Sequence, residues 1–375
     1  MGFLPTRNFQ SSSFEAATAF SGQNLHENFV TRNKGCFNCP VSCSRYCLVE
    51  EGLYAGTRGE GPEYETISAF GSKCGNADVS SVLRANQLCN QLGLDTISTG
   101  NVLAWAMECL QRGLIDRSAL DGLELSFGNH QAMLEMLVKI GYRDGVGDLL
   151  AEGACRAAER LGGKELVIHS KGLDYPAVDV RGTKGMALSF AVSPRGGDHL
   201  KGLCLYEVAP DVYAEDIQNE LGIEVTDRYW LQYETKARLM AWQEDWHCVV
   251  DALGLCKLEG IALKPLKPEH FLKLFSTATG WKGACADLRA AGERIWNQER
   301  LFNMRQGLSK QNDYPPPRLM REPIADGPSL GERLDPEEYE RLLLEYYRLR
   351  GWNGQSGWPE EATLARLGIM EPIAW

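Results

Sequence analysis

No run of about 18 apolar residues occurs anywhere in the 375-residue chain, so no membrane-spanning helix is expected. The N-terminus, MGFLPTRNFQSSSF, lacks the charged stretch and apolar core of a secretory signal, and a cytoplasmic location follows as the expectation. Basic charge is also short. Lys and Arg number 39 against 50 Asp and Glu, a net charge of −11, which argues against a nucleic-acid partner. No strand-rich region stands out and no short-period repeat is visible. Cysteine is what the chain has in excess, with 12 residues.

In a reducing compartment 12 cysteines are not expected to pair as disulfides. Cys109, Cys155 and Cys285 sit in Ala- and Leu-rich stretches and read as buried small hydrophobes. Cys36, Cys39 and Cys43 cluster differently, in Gly35-Cys-Phe-Asn-Cys-Pro-Val-Ser-Cys43, where Gly and Pro forbid a regular helix. Three thiols at C-x2-C-x3-C spacing can converge on one centre. An iron–sulfur cluster, a zinc ion and plain structural cysteines are the alternatives, and a cluster wants a fourth thiolate that often comes from afar. Cys47 is the local candidate. Cys256, in Asp251-Ala-Leu-Gly-Leu-Cys-Lys257, is the distant one, with Gly254 two residues before the thiol to let backbone approach a bulky cofactor, although from the residues alone a buried core thiol is the plainer reading.

Length favours two domains. Asp78 is placed to cap a helix with a rough stripe through Val79, Leu83, Ala85, Leu88, Leu92 and Leu94. VLAWAMECLQRG, QAMLEMLVKIG and DLLAEGACRAAERLGG read as three more helices. After about residue 165 the chain turns rich in Gly and Pro, and LVIHSKGLDYPAVDVRGTKGMALSFAVSPRGGDHLKG reads as loops and short pieces building a site. Helix is expected again over TDRYWLQYETKARLMAWQEDWH, then an extended crossing over PPPRLMREPIADGP. Asp335-Pro336-Glu337-Glu338 opens a last helix that ends before Gly351. The division expected is residues 1–165 and 166–375.

Beyond the cysteine loop, GEGPEYETISAFGSKCGNADVSS, NQLGLDTISTGN, ALSFAVSPRGGDHLKG, DALGLCK, GERIWNQERLFNMRQG and YYRLRGWNGQSG resemble, in order, successive motifs of the tungsten-containing aldehyde:ferredoxin oxidoreductase family. The likeness runs over nearly the whole chain. It implies a mainly α fold of two helical domains like that family's second and third, a tungsten (or molybdenum) bis-pyranopterin, and a [4Fe-4S] cluster. The implied chemistry is oxidation of an aldehyde to a carboxylic acid, with electrons passed singly to ferredoxin. By the same resemblance Cys36, Cys39, Cys43 and Cys256 are the cluster ligands, and Cys47 becomes a bystander. Asp95 and Asp251 match the aspartates that hold the two pterins, with Gly254 and Leu255 in the second motif. An ionised carboxylate suits the N–H edge of a pterin; the plainer reading of Asp95 is a helix N-cap.

The five residues from Asp251 to Cys256 span at most about 18 Å, so one loop would touch pterin and cluster. Near the metal the family places an acid, here Glu63 or Glu65, and a histidine, here His199; either kind of group can move a proton. Cys89-Asn90-Gln91-Leu92 stands where some members bind an intersubunit iron, and such a metal is not expected here. Relative to family members the chain lacks an N-terminal domain. A separately encoded or missing N-terminal domain, ferredoxin and a homodimer copy are therefore the expected partners, and the chain alone is not expected to oxidise aldehydes. The other readings are a tungsten subunit reducing an aromatic acyl thioester, a cluster-bearing electron-transfer subunit without pterin, and a zinc-stabilised helical scaffold.

Overall fold

The computed structural model describes residues 2–203, 207, 209–258, 260 and 266–369. The fold is mainly α, as the sequence leads one to expect, and divides into two units. The first is Met1–Gly182 with Pro316–Arg333; the second is Thr183–Pro315 with Leu334–Trp375. Residues 166–182, set beyond the boundary by composition alone, thus pack with the first unit.

In the first unit α1 (Gly22–Asn28) is capped by Ser21, whose side chain accepts the Asn24 N–H. Three strands follow, β1 (Val30–Lys34), β2 (Ser44–Leu48) and β3 (Arg58–Glu60), in one antiparallel sheet of that order. They frame the cysteine loop, and the sequence did not disclose them because β1 is exposed along nearly its whole length and carries no apolar alternation.

The helices are α2 (Tyr64–Phe70), α3 (Val79–Leu92), α4 (Thr96–Gln111), α5 (His130–Tyr142), α6 (Val146–Leu150) and α7 (Ala154–Leu161). Asp78 caps α3 through the Ser81 N–H, as read from the sequence. α4 is the hub of this unit: Val102 to Cys109 are all buried, and Trp105 donates its indole N–H to the Gly163 carbonyl at 3.0 Å. At Gly100 a Cβ would lie 2.6 Å from the Ala69 Cβ, so the missing side chain is what lets α2 and α4 touch. The single helix expected over residues 148–163 is two, α6 and α7, because Gly153 takes φ +87° between them. β4 (His169–Ser170) and β5 (Leu173–Asp174) form a small hairpin.

The segment expected to cross in extended form contains a helical turn, Pro317–Arg321. Arg318 anchors it: its guanidinium lies 2.8 Å from Glu108 and donates to the Asn8 carbonyl at 3.0 Å, with both charged groups buried. Asn8 donates to the same Glu108 at 2.6 Å.

The second unit holds α8 (Lys184–Val192), α9 (Pro210–Leu221), α10 (Lys236–Ala252), α11 (Pro268–Thr279), α12 (Cys285–Arg305), α13 (Pro336–Arg350) and α14 (Glu361–Leu367). α8 is a full helix inside residues 166–202, which the sequence reads as loops and short pieces. All nine of its residues are buried, so it has no polar face and no periodic signal to read. Its first N–H groups are met by the buried Glu207, which accepts from Gly185 at 2.8 Å and from Met186 at 3.0 Å. The helix expected from residue 226 starts instead at Lys236, after a 3-10 turn Tyr229–Leu231. Lys236 is drawn inside, donating to the Tyr229 carbonyl at 2.6 Å. The last predicted cap holds: Asp335 accepts from Glu337 and Glu338, and α13 stops at left-handed Gly351. Inside, Arg350 bridges Glu244 (2.7 Å) and Asp245 (2.5 Å) between α13 and α10.

Candidate functional site

The cysteine loop is the tip of a hairpin. Lys34 of β1 pairs with Ser44 of β2, leaving residues 35–43 as the connection that carries Cys36, Cys39 and Cys43. Asn38 and Ser42 both take left-handed conformations, and the Cys39 N–H donates to the Cys36 carbonyl at 3.1 Å. The loop is therefore a chain of tight turns. Its root is tied by an ion pair of Lys34 with Glu60 and by the Ser44 hydroxyl donating to Glu60 at 3.1 Å.

Arg45 of β2 links this loop to the acidic turn. It donates to the Cys43 carbonyl and to the Pro62 carbonyl, each at 3.0 Å, and stands 3.8 Å from Glu63. Glu63 and Asp95 line one open cleft of about 680 Å³, with Arg58, Glu60, Asn90 and Gln91. Glu65 is not among the cleft's lining residues. Its carboxylate is held by the backbone, accepting the Ala177 N–H at 2.7 Å, while the Tyr64 hydroxyl donates to the Ala177 carbonyl at 3.2 Å.

Asp95 caps α4, accepting the Ser98 N–H at 2.7 Å through one oxygen. The plain reading of this residue is thus present in the structure. It does not compete with a ligand role, because the second oxygen of an exposed carboxylate can accept another N–H.

Sequence reasoning passed over Lys73. It is wholly buried and donates to the Tyr175 carbonyl at 2.7 Å and to Asn101 at 3.0 Å. Burial pulls its ammonium down to about 8, while Glu65, Asp174, Cys74 and Asp95 act to hold it up. Asp174 is pushed the other way by burial, up to about 7, with Lys73 opposing. A lysine in SKCGN next to a cysteine carries no periodic signal, and only folding shows that it is inside.

In the second unit Asp251 stands in the last turn of α10, and Gly254, Leu255 and Cys256 follow it in one loop. Gly254 is left-handed at φ +68°, and its turn is closed by Gly254 N–H to the Asp251 carbonyl and Leu255 N–H to the Val250 carbonyl, both 3.0 Å. Asp251 sits between two lysines, with Lys257 at 2.8 Å and Lys201 at 3.9 Å. Lys201 also pairs with Glu299 at 2.7 Å.

His199 lies half-buried in the loop after α8. That loop is held to α10 by His247, whose Nδ1 donates to the Leu200 carbonyl at 2.8 Å. Burial, aided by Lys257, pushes the His247 imidazole down to about 3, so it stays neutral.

Among the described residues no group of three or more His, Cys, Asp or Glu stands close enough together to hold a metal ion. The donor chemistry still fits a thiolate-bound cluster. A thiol must lose its proton to bind metal. Burial raises the thiols of Cys74, Cys89, Cys109 and Cys248 to about 12 and of Cys155 to about 11, and raises Cys47 and Cys285 as well. Cys36, Cys43 and Cys256 are exposed and Cys39 is half-buried; no other described cysteine is exposed.

These features, a hairpin-borne cysteine triplet and Asp-x-x-(Ser/Gly) motifs on a mainly helical pair of units, define a class of mainly helical proteins with clustered cysteines. The family model described as aldehyde ferredoxin oxidoreductase, domains 2 & 3, matches residues 1–369, and the chain belongs to that family.

Tungsten-containing aldehyde ferredoxin oxidoreductases of Pyrococcus abyssi and Pyrococcus furiosus are each 36% identical over 99% of the chain. The chain spans 58% of the length of either. A WOR-like subunit of an aliphatic sulfonate oxidoreductase from Pyrococcus furiosus is 26% identical over 98% of the chain and 55% of its own length. The active-site complex BamBC of benzoyl coenzyme A reductase has the same fold, with a TM-score of 0.74 over 98% of this chain and 57% of that one, at 23% identity. No helix among the described residues is long and apolar enough to cross a membrane.

Proposed function

We propose that this chain is the cofactor-holding helical part of an oxidoreductase that oxidises aldehydes to carboxylic acids. The observation that carries the reading is the segregation of its cysteines: among the described residues, the exposed ones lie in the two motifs that the family resemblance assigns to the cluster. Cys36, Cys39, Cys43 and Cys256 would hold a [4Fe-4S] cluster. Asp95 and Asp251, supported by the Gly254–Leu255 turn, would accept the N–H edges of two pyranopterins. When bound, the tungsten bis-pyranopterin supplies the two-electron chemistry and the cluster one-electron transfer towards ferredoxin.

The chain's own residues bind, orient and handle protons. Of the two acids Glu65 is the better prepared as a proton acceptor, because the Ala177 N–H fixes its carboxylate before any substrate arrives. Glu63, two-thirds exposed and beside Arg45, suits the rim of the cleft. His199 is placed by the loop that His247 holds, and its imidazole can return a proton. Walls on the remaining sides of the cofactor are assigned to a further domain, in the same protein or on another chain.

Protein from its own cells, supplied with tungstate, should contain four iron atoms, sulfide and tungsten, and should reduce a viologen dye with aldehyde. Iron and sulfide without tungsten or molybdenum would instead make it a cluster-only electron carrier. Zinc without sulfide would make it a scaffold. Turnover of an aromatic acyl thioester and not of aldehydes would replace the substrate.

A further inference from the structure

Lys73 is a buried cation that the proposed chemistry does not use, and its bonds lead to Glu65. It stands in the turn after α2 and is 1% exposed. Its ammonium donates to the Tyr175 carbonyl at 2.7 Å and to the Asn101 side-chain oxygen at 3.0 Å, and Asn101 donates to the same carbonyl at 3.1 Å. Tyr175 is itself buried, with its hydroxyl 2.9 Å from that of Ser170. Two residues on, the Ala177 N–H donates to Glu65 at 2.7 Å and the Ala177 carbonyl accepts the Tyr64 hydroxyl at 3.2 Å. The segment from Tyr175 to Ala177 is therefore held at one end by Lys73 and Asn101 and at the other by Tyr64 and Glu65. Pro176 lies between them, and its fixed φ leaves little slack, so the place of the Tyr175 carbonyl decides where the Ala177 N–H points.

We propose that Lys73 is the positioning residue of Glu65: its bond to Tyr175 sets the place of the carboxylate through Ala177, and its charge keeps that carboxylate ionised, ready to accept a proton. The proposal rests on the reading of Glu65 as the proton acceptor and deepens it. Charge supports it alongside geometry. Glu65 from α2, Asp174 from β5, Asp95 at the start of α4 and the adjacent Cys74 thiol are the titratable groups that act on the ammonium, and the centroid of the Phe9 ring lies 5.3 Å from it. Burial works to strip the proton from Lys73, and of these four groups Glu65 opposes it most. Attraction between two charges is mutual, so the ammonium that Glu65 stabilises favours the charged carboxylate in return. A neutral side chain would tie the same segments together without burying an ammonium, which is strongly unfavourable unless the charge is paired.

The Ala177 amide is the reporter, because a carboxylate is a stronger acceptor than a carboxylic acid and the amide resonance moves as Glu65 ionises. The full chain, isotope-labelled at its alanine amides, is titrated from pH 4 to 9. The wild-type signal should show one step from Glu65 and a second near pH 8 from Lys73. Asp174→Asn identifies any step that Asp174 adds near pH 7. Glu65→Gln should remove the first step and bring the second to lower pH. Lys73→Met should remove the second and raise the pH of the first by about one unit, a tenfold change in proton affinity. Lys73→Arg, which keeps the charge, should hold the first step near its wild-type place. A first step at the same pH in Lys73→Met and wild type, or a second step indifferent to Glu65→Gln, would overturn the proposal and leave Lys73 a structural tie. The Glu65→Gln comparison decides it even where the Lys73 variants do not fold. In the metal-loaded protein the acid limb of kcat for an aldehyde should move with the first step in Lys73→Met, with KM nearly unchanged. A first step that moves while the acid limb stays would sink Glu65 as the proton acceptor and leave its coupling to Lys73 intact.

Discussion

Lys257 places its ammonium 2.8 Å from the Asp251 carboxylate and donates to the His247 carbonyl at 2.9 Å, so one side chain clips the far end of the loop that ends at Cys256 back onto the last turns of α10. The Asp251 end is 41% exposed, which limits the pair to roughly 1 kcal/mol or less of global stability. Its effect should be local. Lys257→Met should leave the unfolding midpoint nearly unchanged yet raise amide exchange at Gly254 and Leu255, whose bonds to Asp251 and Val250 close the loop. Lys257→Arg should restore most of the protection. Unchanged exchange in Lys257→Met would mean that the turn at Gly254 holds the loop unaided.

Asp95 carries two roles that substitution can separate. Asn caps a helix about as well as Asp, so Asp95→Asn should keep α4 intact and remove only the charge. Asp95→Ala should lose the bond to Ser98 as well, at about 1 kcal/mol of stability. If Asp95 grips a pterin, tungsten content should fall in both variants. Asp78→Ala, which removes the equivalent cap from α3, should cost similar stability and leave tungsten unchanged. Denaturant midpoints and metal analysis on the four proteins decide it, and full tungsten in Asp95→Ala would reduce Asp95 to a cap.

Those two caps also show which parts of the fold could be read from the sequence. Asp78, Asp95 and Asp335-Pro336 each announce a helix through chemistry confined to three or four neighbouring residues, and each makes the bond its position implies. α8 could not be read that way. It lies in a Gly- and Pro-rich stretch, is buried all round, and takes its cap from Glu207, 22 residues from Gly185. The hairpin around the cysteines was hidden because β1 exposes nearly every side chain. The candidate site was legible where motifs are contiguous. What long-range packing decides was not: Glu65 held by Ala177, Asp251 flanked by Lys201, and Lys73 drawn inside.

Cys47 and Cys256 make a clean contrast for the fourth cluster ligand. Cys47 is 2% exposed in β2, packed with Val49 and Leu83, and burial raises its thiol. Cys256 is exposed on its loop. Cys47→Ala should therefore cost about 1 kcal/mol or a little more in stability through the lost buried group and leave iron and sulfide at four per chain. Cys256→Ala should keep the fold and lose at least one iron, with the electron paramagnetic resonance signal of a three-iron form or none. The opposite pattern would assign the local cysteine to the cluster.

The pair formed by Lys73 and Asp174 should bend the pH dependence of the first unit's stability in two opposite directions. Between the ordinary carboxyl value of 3.8 and about 7, folded Asp174 keeps a proton that the unfolded chain has released. The folded state then binds more protons, so stability falls as pH rises through that window, by up to about 1.4 kcal/mol per unit. Between about 8 and 10.5 the relation reverses. Folded Lys73 has lost a proton that the unfolded chain keeps, and stability recovers as pH rises. Asp174→Asn stays neutral throughout and should erase the fall between pH 4 and 7, so its stability relative to wild type should improve steadily across that range. Lys73→Met should erase the rise above pH 8. Urea midpoints at pH 4, 5.5, 7, 8 and 9.5 read both effects, and subtraction of the wild-type curve removes the contribution of Glu244, which burial also pushes up to about 7 in the second unit. Curves for Asp174→Asn and wild type that run parallel from pH 4 to 7 would show that Asp174 is ionised in the folded protein, held by Lys73 more strongly than burial opposes it.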